Sequence, residues 1–269
     1  MSNPSPNRVV LVTGAARGIG AAAAREFATQ GCAVVLFDIC AEIEGLSYAC
    51  ATEDDLHATA AMCREAGAPE VQSVIGDVRV QTDLDTAVQD LMASWGHLDV
   101  VVAAAGVMAG GTPGWELSEE SWNLCHDVNL TGVWRTARAA LPAMLQTPPP
   151  RSARFVAVAS AAGLSGNPLI ADYVASKHGV VGLVKALAIE CGELGVTVNA
   201  VAPGSTNTAI LKASAAVYGL STVEEFAEHH VIGRILEPEE VAAGIVWLAD
   251  AARGAMTGVV LPVDGGMSL

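Results

Sequence analysis

Arg8-Val-Val-Leu-Val-Thr13, running at once into Gly14-Ala-Ala-Arg17-Gly18-Ile19-Gly20 and then Ala21-Ala-Ala-Ala-Arg-Glu-Phe-Ala28, is the stretch that decides the fold. Its first part is the β-branched run of a strand buried on both faces, and its last part is a helix former. The glycines between them let backbone N–H groups approach a pyrophosphate, whose charge the helix N-terminus favours.

Apolar runs recur at residues 9–12, 33–37, 71–75, 100–103, 155–158, 196–201 and 259–263, mostly separated by helical patterns. That alternation predicts one α/β domain, a doubly wound seven-stranded parallel sheet of Rossmann type, over residues 8–269. Residues 1–7 read as a disordered polar tail. In such a sheet the ligand lies beyond the carboxyl ends of the strands, where Gly14, Asp38, Asp77, Gly106, Ser160 and Pro203 all fall. Two segments exceed the usual connections: an insert at about 40–56 and a long stretch at about 205–233, in the position of a substrate lid.

A second pattern carries chemistry. Tyr173-Val-Ala-Ser-Lys177 places a phenol and an ammonium four residues apart within a helical stretch, so both side chains stand on one face, one turn apart. By itself such a pair is most often packing plus a solvated charge. The glycine loop upstream, and Ser160 at the end of the fifth apolar run, turn it into a candidate proton-transfer site.

The bulk properties exclude other classes. A net charge of −15 lacks the positive footprint that nucleic acid requires. The longest uncharged stretches are too short and too interrupted to span a membrane, and the polar head lacks the features of an export signal, so the expected compartment is the cytoplasm. Six cysteines show neither a C-x-x-C nor a grouping with histidine, so reduced, packed thiols and no metal site are expected. His97, His126, His178, His229 and His230 read as surface or packing residues.

Thr13-Gly14, Gly18-Ile19-Gly20, Asp77-Val78, Ala105-Gly106, Asn129, Ser160, Tyr173, Lys177, Pro203-Gly204 and Asp264-Gly265-Gly266, in that order over essentially the whole chain, resemble the short-chain dehydrogenase/reductase family. Residues 37–41 and the insert after them resemble its mycofactocin-coupled branch. The resemblance implies an oxidoreductase that moves a hydride between a nicotinamide cofactor and a secondary alcohol or ketone. It implies Ser160 as holder of the substrate oxygen, Tyr173 as acid and base, Lys177 on phenol and ribose, and Asn129 anchoring a water chain behind the lysine. It also implies cofactor contacts from Gly14, Arg17, Gly18, Ile19, Gly20, Asp77, Val78, Ala105, Gly106, Pro203, Gly204, Thr206 and Thr208. A homotetramer, a tightly held NAD and a small redox-peptide electron acceptor, mycofactocin, complete what it implies. One departure is Ala103-Ala104, where the family often has two asparagines.

Cofactor choice rests on Asp38 at the end of the second strand. A carboxylate there accepts from a ribose 2′-OH and repels a 2′-phosphate, favouring NAD over NADP. Arg17 pulls the other way, as a cation that could receive the phosphate. Lowering a tyrosine from about 10 to about 7 asks for roughly 4 kcal/mol, which a cation ~4 Å away supplies only in a fairly dry site. Leu117, Ala161, Leu164, Leu169 and the 210–220 stretch suggest an apolar pocket. The alternative is an NAD-binding regulator that has lost its chemistry, against which Tyr173 and Lys177 both stand.

Overall fold

The computed structural model describes residue 6, residues 8–148 and residues 151–269; the remaining residues of the expected 1–7 tail lie outside them. Seven strands, β1 (Val9–Thr13), β2 (Ala33–Asp38), β3 (Val71–Ile75), β4 (Val100–Ala103), β5 (Ala153–Val158), β6 (Val196–Pro203) and β7 (Val260–Val263), form one sheet. Their order is β3-β2-β1-β4-β5-β6-β7, and every neighbouring pair is parallel. The order reverses between β1 and β4, which opens a crevice at the strand ends.

Alternating side chains of each strand feed two cores. Val9 and Leu11 enter one and Val10 and Val12 the other. On the Val10 side pack α1 (Gly18–Thr29), α2 (Glu53–Glu65) and α8 (Pro238–Ala249), through Phe27, Leu56 and Ile245. On the Val9 side pack α3 (Gln81–Trp95), α5 (Gly132–Met144) and α6 (Ala171–Cys191), through Leu84, Ala140 and Val184. Burial on both faces explains why the strands read as continuous apolar runs rather than alternating ones. β3 lies at the sheet edge and is only partly covered, with Ile75 exposed.

Two irregular features set up the crevice. Helix α4 (Glu119–His126) passes into α5 through a π-helical turn at Asp127–Thr131, closed by Gly132 N–H donating to the Asp127 carbonyl. A π turn inserts one residue and rotates the local face, which turns Asn129 fully inward. After β2, residues 39–51 form an irregular loop, and Thr52 then starts α2 with a capping box to Asp55. The end of the expected 40–56 insert is therefore the first turn of α2. The 205–233 stretch contains α7 (Ala209–Val217) and a 3₁₀ segment at Val223–His229.

No helix among the described residues is long and apolar enough to cross a membrane. All six cysteines are free, five buried and Cys40 partly so.

Candidate active site

The glycine loop is built by close approach. Gly14 has φ +68°, and a Cβ there would lie 2.6 Å from the Ala105 nitrogen; one on Gly20 would lie 2.1 Å from the Gly14 carbonyl. Neither contact leaves room for a side chain, so the turn, the start of α1 and the Ala105-Gly106 end of β4 are packed backbone to backbone. Asp38 Oδ2 accepts from Ala16 N–H at 2.9 Å, tying the end of β2 to this loop, while Oδ1 has only a 3.4 Å contact with Cys40 N–H.

Arg17 lines the cavity and also makes a contact within the chain. Its guanidinium donates to the Ala49 carbonyl at 2.7 Å and so holds the 39–51 loop. The carboxylate of Asp38, held at the end of β2 against the glycine loop, is placed to accept from ribose hydroxyls, and the residues present fit NAD. Asp38→Asn, which keeps the shape and removes the charge, is expected to narrow the preference for NAD over NADP by roughly tenfold in kcat/KM. An unchanged preference would show that Asp38 does not choose the cofactor.

Other cofactor candidates are placed around the same crevice, with much of their hydrogen bonding already used. Asp77 takes a bidentate contact from Arg79, at 2.6–3.0 Å. Thr206 Oγ donates to the Gly204 carbonyl at 3.0 Å, and Thr208 donates to Thr206 and caps α7. Gly204 lies so close to Asp264 that a Cβ would fall 2.9 Å from its backbone. Gly18, Ile19, Val78 and Pro203 complete the wall.

Ser160, Tyr173 and Lys177 come together at the opposite side of one cavity of about 810 Å³ that also contains the glycine loop. Ser160 lies two residues beyond β5 as the cap of a short 3₁₀ turn, its Oγ accepting from Ala162 N–H at 3.1 Å. Its hydroxyl also favours the charged form of the Tyr173 phenol. Lys177 Nζ is buried, donates to the Val158 carbonyl at 2.9 Å and lies 5.6 Å from the centre of the Tyr173 ring.

Burial dominates both groups. It pushes the Tyr173 phenol up to about 12 despite the Ser160 hydroxyl, and pulls Lys177 down to about 8. In the chain without cofactor the phenol is therefore far from the value near 7 that proton abstraction asks for. The dryness that strengthens their attraction penalises the phenolate more.

Asn129 is the most constrained member. Its Oδ1 accepts from Val107 N–H at 2.8 Å, and its Nδ2 donates to the Val107 carbonyl at 2.9 Å and to Ser176 Oγ at 3.1 Å. Ser176 in turn donates to the Tyr173 carbonyl at 2.8 Å. The side chain clamps the segment after β4 to α6, and its Oδ1 and Lys177 Nζ both lie against Gly106.

The cavity wall includes residues that sequence reasoning passed over. Tyr48, from the 39–51 loop, accepts from Met108 N–H at 3.1 Å. Tyr218, at the end of α7, donates to the Pro168 carbonyl at 2.9 Å and closes the lid against the loop after β5. The chain has only three tyrosines and all three line this cavity, a clue the composition already held. Of the apolar pocket residues expected, Ala161, Ile210, Leu211 and Leu220 line the cavity, whereas Leu117, Leu164 and Leu169 are not in its wall. His229 does line it. His230 is buried, accepting from Ser205 N–H at 3.0 Å.

The family model for enoyl-(acyl carrier protein) reductase matches residues 14–268. An uncharacterized NAD-dependent oxidoreductase of Mycobacterium tuberculosis is 38% identical over 271 residues, covering 96% of this chain and 95% of the relative. A (−)-trans-carveol dehydrogenase of Rhodococcus erythropolis is 33% identical over 97% of this chain and 98% of its own length. Among solved structures, carveol dehydrogenase from Mycobacterium avium in complex with NAD superposes with a TM-score of 0.91 at 30% identity, covering 99% of both chains. With the sheet order, the glycine turn and the Ser160, Tyr173 and Lys177 cluster in place, these matches establish that the chain belongs to the short-chain dehydrogenase/reductase superfamily.

Proposed function

We propose that the chain is an NAD-dependent oxidoreductase interconverting a secondary alcohol and its ketone, with Tyr173 as the proton-transfer group. The observation that carries this reading is the meeting, in one cavity, of a glycine loop and Asp38 on one side with Ser160, Tyr173 and Lys177 on the other. A nicotinamide held between them supplies the carbon that gives or takes the hydride. Gly14, Gly18, Ile19 and Gly20 would face the pyrophosphate, Asp38 the adenosine ribose and Lys177 the second ribose. Asp77, Val78, Ala105 and Gly106 would follow the adenosine side, and Pro203, Gly204, Thr206 and Thr208 the nicotinamide side.

The protonation states give the two directions different demands. With its phenol at about 12, Tyr173 is protonated at neutral pH and ready to donate to a ketone oxygen steadied by Ser160. Alcohol oxidation needs the phenolate, which at pH 7 costs roughly 7 kcal/mol. A charged Lys177 on the same helix face offsets part of that cost. The remainder has to come from a further positive charge bound in the site, so cofactor binding and readiness for oxidation are coupled.

The substrate is apolar. Met108, Ile170, Ile210, Leu211, Leu220 and Phe226 form that part of the wall, and the curated and structural relatives named above as carveol dehydrogenases support the reading. A panel of apolar secondary alcohols, followed at the reduced-nicotinamide absorbance band, tests it. No turnover with any alcohol while NAD binds would favour the non-catalytic regulator instead.

The 39–51 loop supports retention of NAD between turnovers, with mycofactocin, a redox peptide, as the electron acceptor. The loop contributes Ile43, Leu46, Tyr48 and Cys50 to the cavity wall and is pinned by Arg17 to Ala49 and by Tyr48 to Met108. Protein as purified is therefore expected to carry stoichiometric NAD by mass and absorbance. Arg17→Ala, which removes the exposed pin, is expected to speed exchange with isotope-labelled NAD by roughly fivefold. Free exchange in the unaltered protein would remove the retention reading.

Trp122 on α4, Trp134 on α5 and Ile189 on α6 expose apolar surface, which supports a homotetramer; light scattering behind a sizing column measures it. The free thiols support a cytoplasmic setting.

A further inference from the structure

Tyr48 belongs to the irregular loop after β2, yet its ring reaches the substrate side of the cavity. It packs on the same small apolar cluster as Tyr173, formed by Met108, Ile170 and Ala213. Its oxygen is fixed by the Met108 N–H, but among the described residues its own O–H proton has no acceptor. Three other hydroxyls in the wall have spent their protons. Ser165 donates to the Ala161 carbonyl, Ser214 to the Ile210 carbonyl and Tyr218 to the Pro168 carbonyl. The Asn167 amide also lines the cavity, on the loop after β5 and outside the cluster around Tyr173. Burial pushes the Tyr48 phenol up to about 12, so it remains a donor at every working pH.

A half-buried phenol whose oxygen is held and whose proton is free, packed with the proton-transfer group on the apolar cluster of Met108, Ile170 and Ala213, is arranged to read an acceptor on the ligand. We infer that Tyr48 donates its phenolic proton to a second oxygen of the substrate, selecting apolar alcohols and ketones that carry one further oxygen acceptor beyond the reacting carbon. The inference rests on the function proposed above and deepens it. Tyr173 and Ser160 take the reacting oxygen, and Tyr48 takes the other. No bond is made or broken by Tyr48; it sets specificity.

Matched cyclic ketones test it: cyclohexane-1,4-dione against cyclohexanone, with further pairs bearing alkyl groups, each followed in single turnovers as oxidation of the NADH bound to the protein, with kcat/KM read from the dependence of that rate on ketone concentration, so that the reading does not require the cofactor to exchange. Tyr48→Phe keeps the ring and its packing and removes only the hydroxyl. It is expected to lower kcat/KM for the dioxygenated member of a pair roughly tenfold while leaving the mono-oxygenated member within about twofold. A thermal midpoint within a few degrees of the unaltered protein establishes that the variant is folded. An equal fall for both members, or a weakened affinity for NADH that accounts for the loss, would overturn the inference by assigning Tyr48 to the cofactor or to the loop. No fall for either member would overturn it as well. If the unaltered protein turns over no ketone in any pair, the oxidoreductase reading fails and takes this inference with it.

Discussion

Tyr173→Phe is expected to lower turnover of any secondary alcohol or ketone by at least ~10³-fold, with binding of NAD retained. Proton transfer by a positioned side chain contributes typically 10²–10⁴-fold, and the loss should be near the upper end because burial leaves little water to replace the phenol. Phenylalanine keeps the ring among Met108, Ile170 and Ala213, so the cluster around the site stays packed. Lys177 keeps its bond to the Val158 carbonyl, which does not involve the phenol. A thermal midpoint close to that of the unaltered protein, combined with lost turnover, isolates the hydroxyl as the missing element. Near-full turnover in this variant would sink the assignment of the Ser160, Tyr173 and Lys177 cluster.

Lys177→Met is expected to cut turnover by more than ~100-fold and yet to leave the cofactor-free fold as stable as before, or more so, at pH 7. The reason is electrostatic. Lys177 is buried, and its ammonium is pulled from its ordinary 10.5 down to about 8, so keeping it charged in the folded chain at pH 7 costs roughly 3 kcal/mol. Methionine removes that penalty but strips the Val158 carbonyl of its donor, which returns about 1–3 kcal/mol. The net shift in thermal midpoint should lie between no change and a rise of about 5 °C.

The pH dependence identifies the cause. Between about 8 and 10.5 the unfolded chain binds a proton on this lysine that the folded chain has released, so the unaltered protein gains stability as pH rises through that window. The advantage of Lys177→Met should therefore shrink from pH 7 to pH 10. Above pH 10 Tyr173 acts in the opposite sense, because the folded chain then holds a proton that the unfolded chain loses. A variant much less stable than the unaltered protein at pH 7 would show that Lys177 is a structural residue first.

Most of the sheet could be read from the sequence because both-face burial writes a continuous apolar run; the edge strand β3 is only partly covered and its run is broken by Gln72 and Ser73, yet all seven runs fall on strands. Gly14 and Gly20 were legible for a related reason: the turn leaves no room for a side chain, so the requirement appears at the position itself. Tyr173 and Lys177 were legible because a spacing of four on a helix fixes a shared face. Tyr48 and Tyr218 were not, since each comes from a segment without regular period whose path depends on distant contacts, at Met108 and Pro168. The contact of Arg17 with the Ala49 carbonyl was not legible either, because that carbonyl arrives 32 residues later.

The sequence by itself determined the architecture, the glycine turn, the carboxylate after β2 and the phenol–ammonium pair, since each depends on a local pattern of size, polarity or spacing. Only the tertiary structure decided what surrounds them: which cation is engaged, which hydroxyls have spent their protons, and how far burial moves the phenol and the ammonium apart. Those are properties of a packed interior, where the cost of a charge and the partner of a donor depend on residues distant along the chain and adjacent in space.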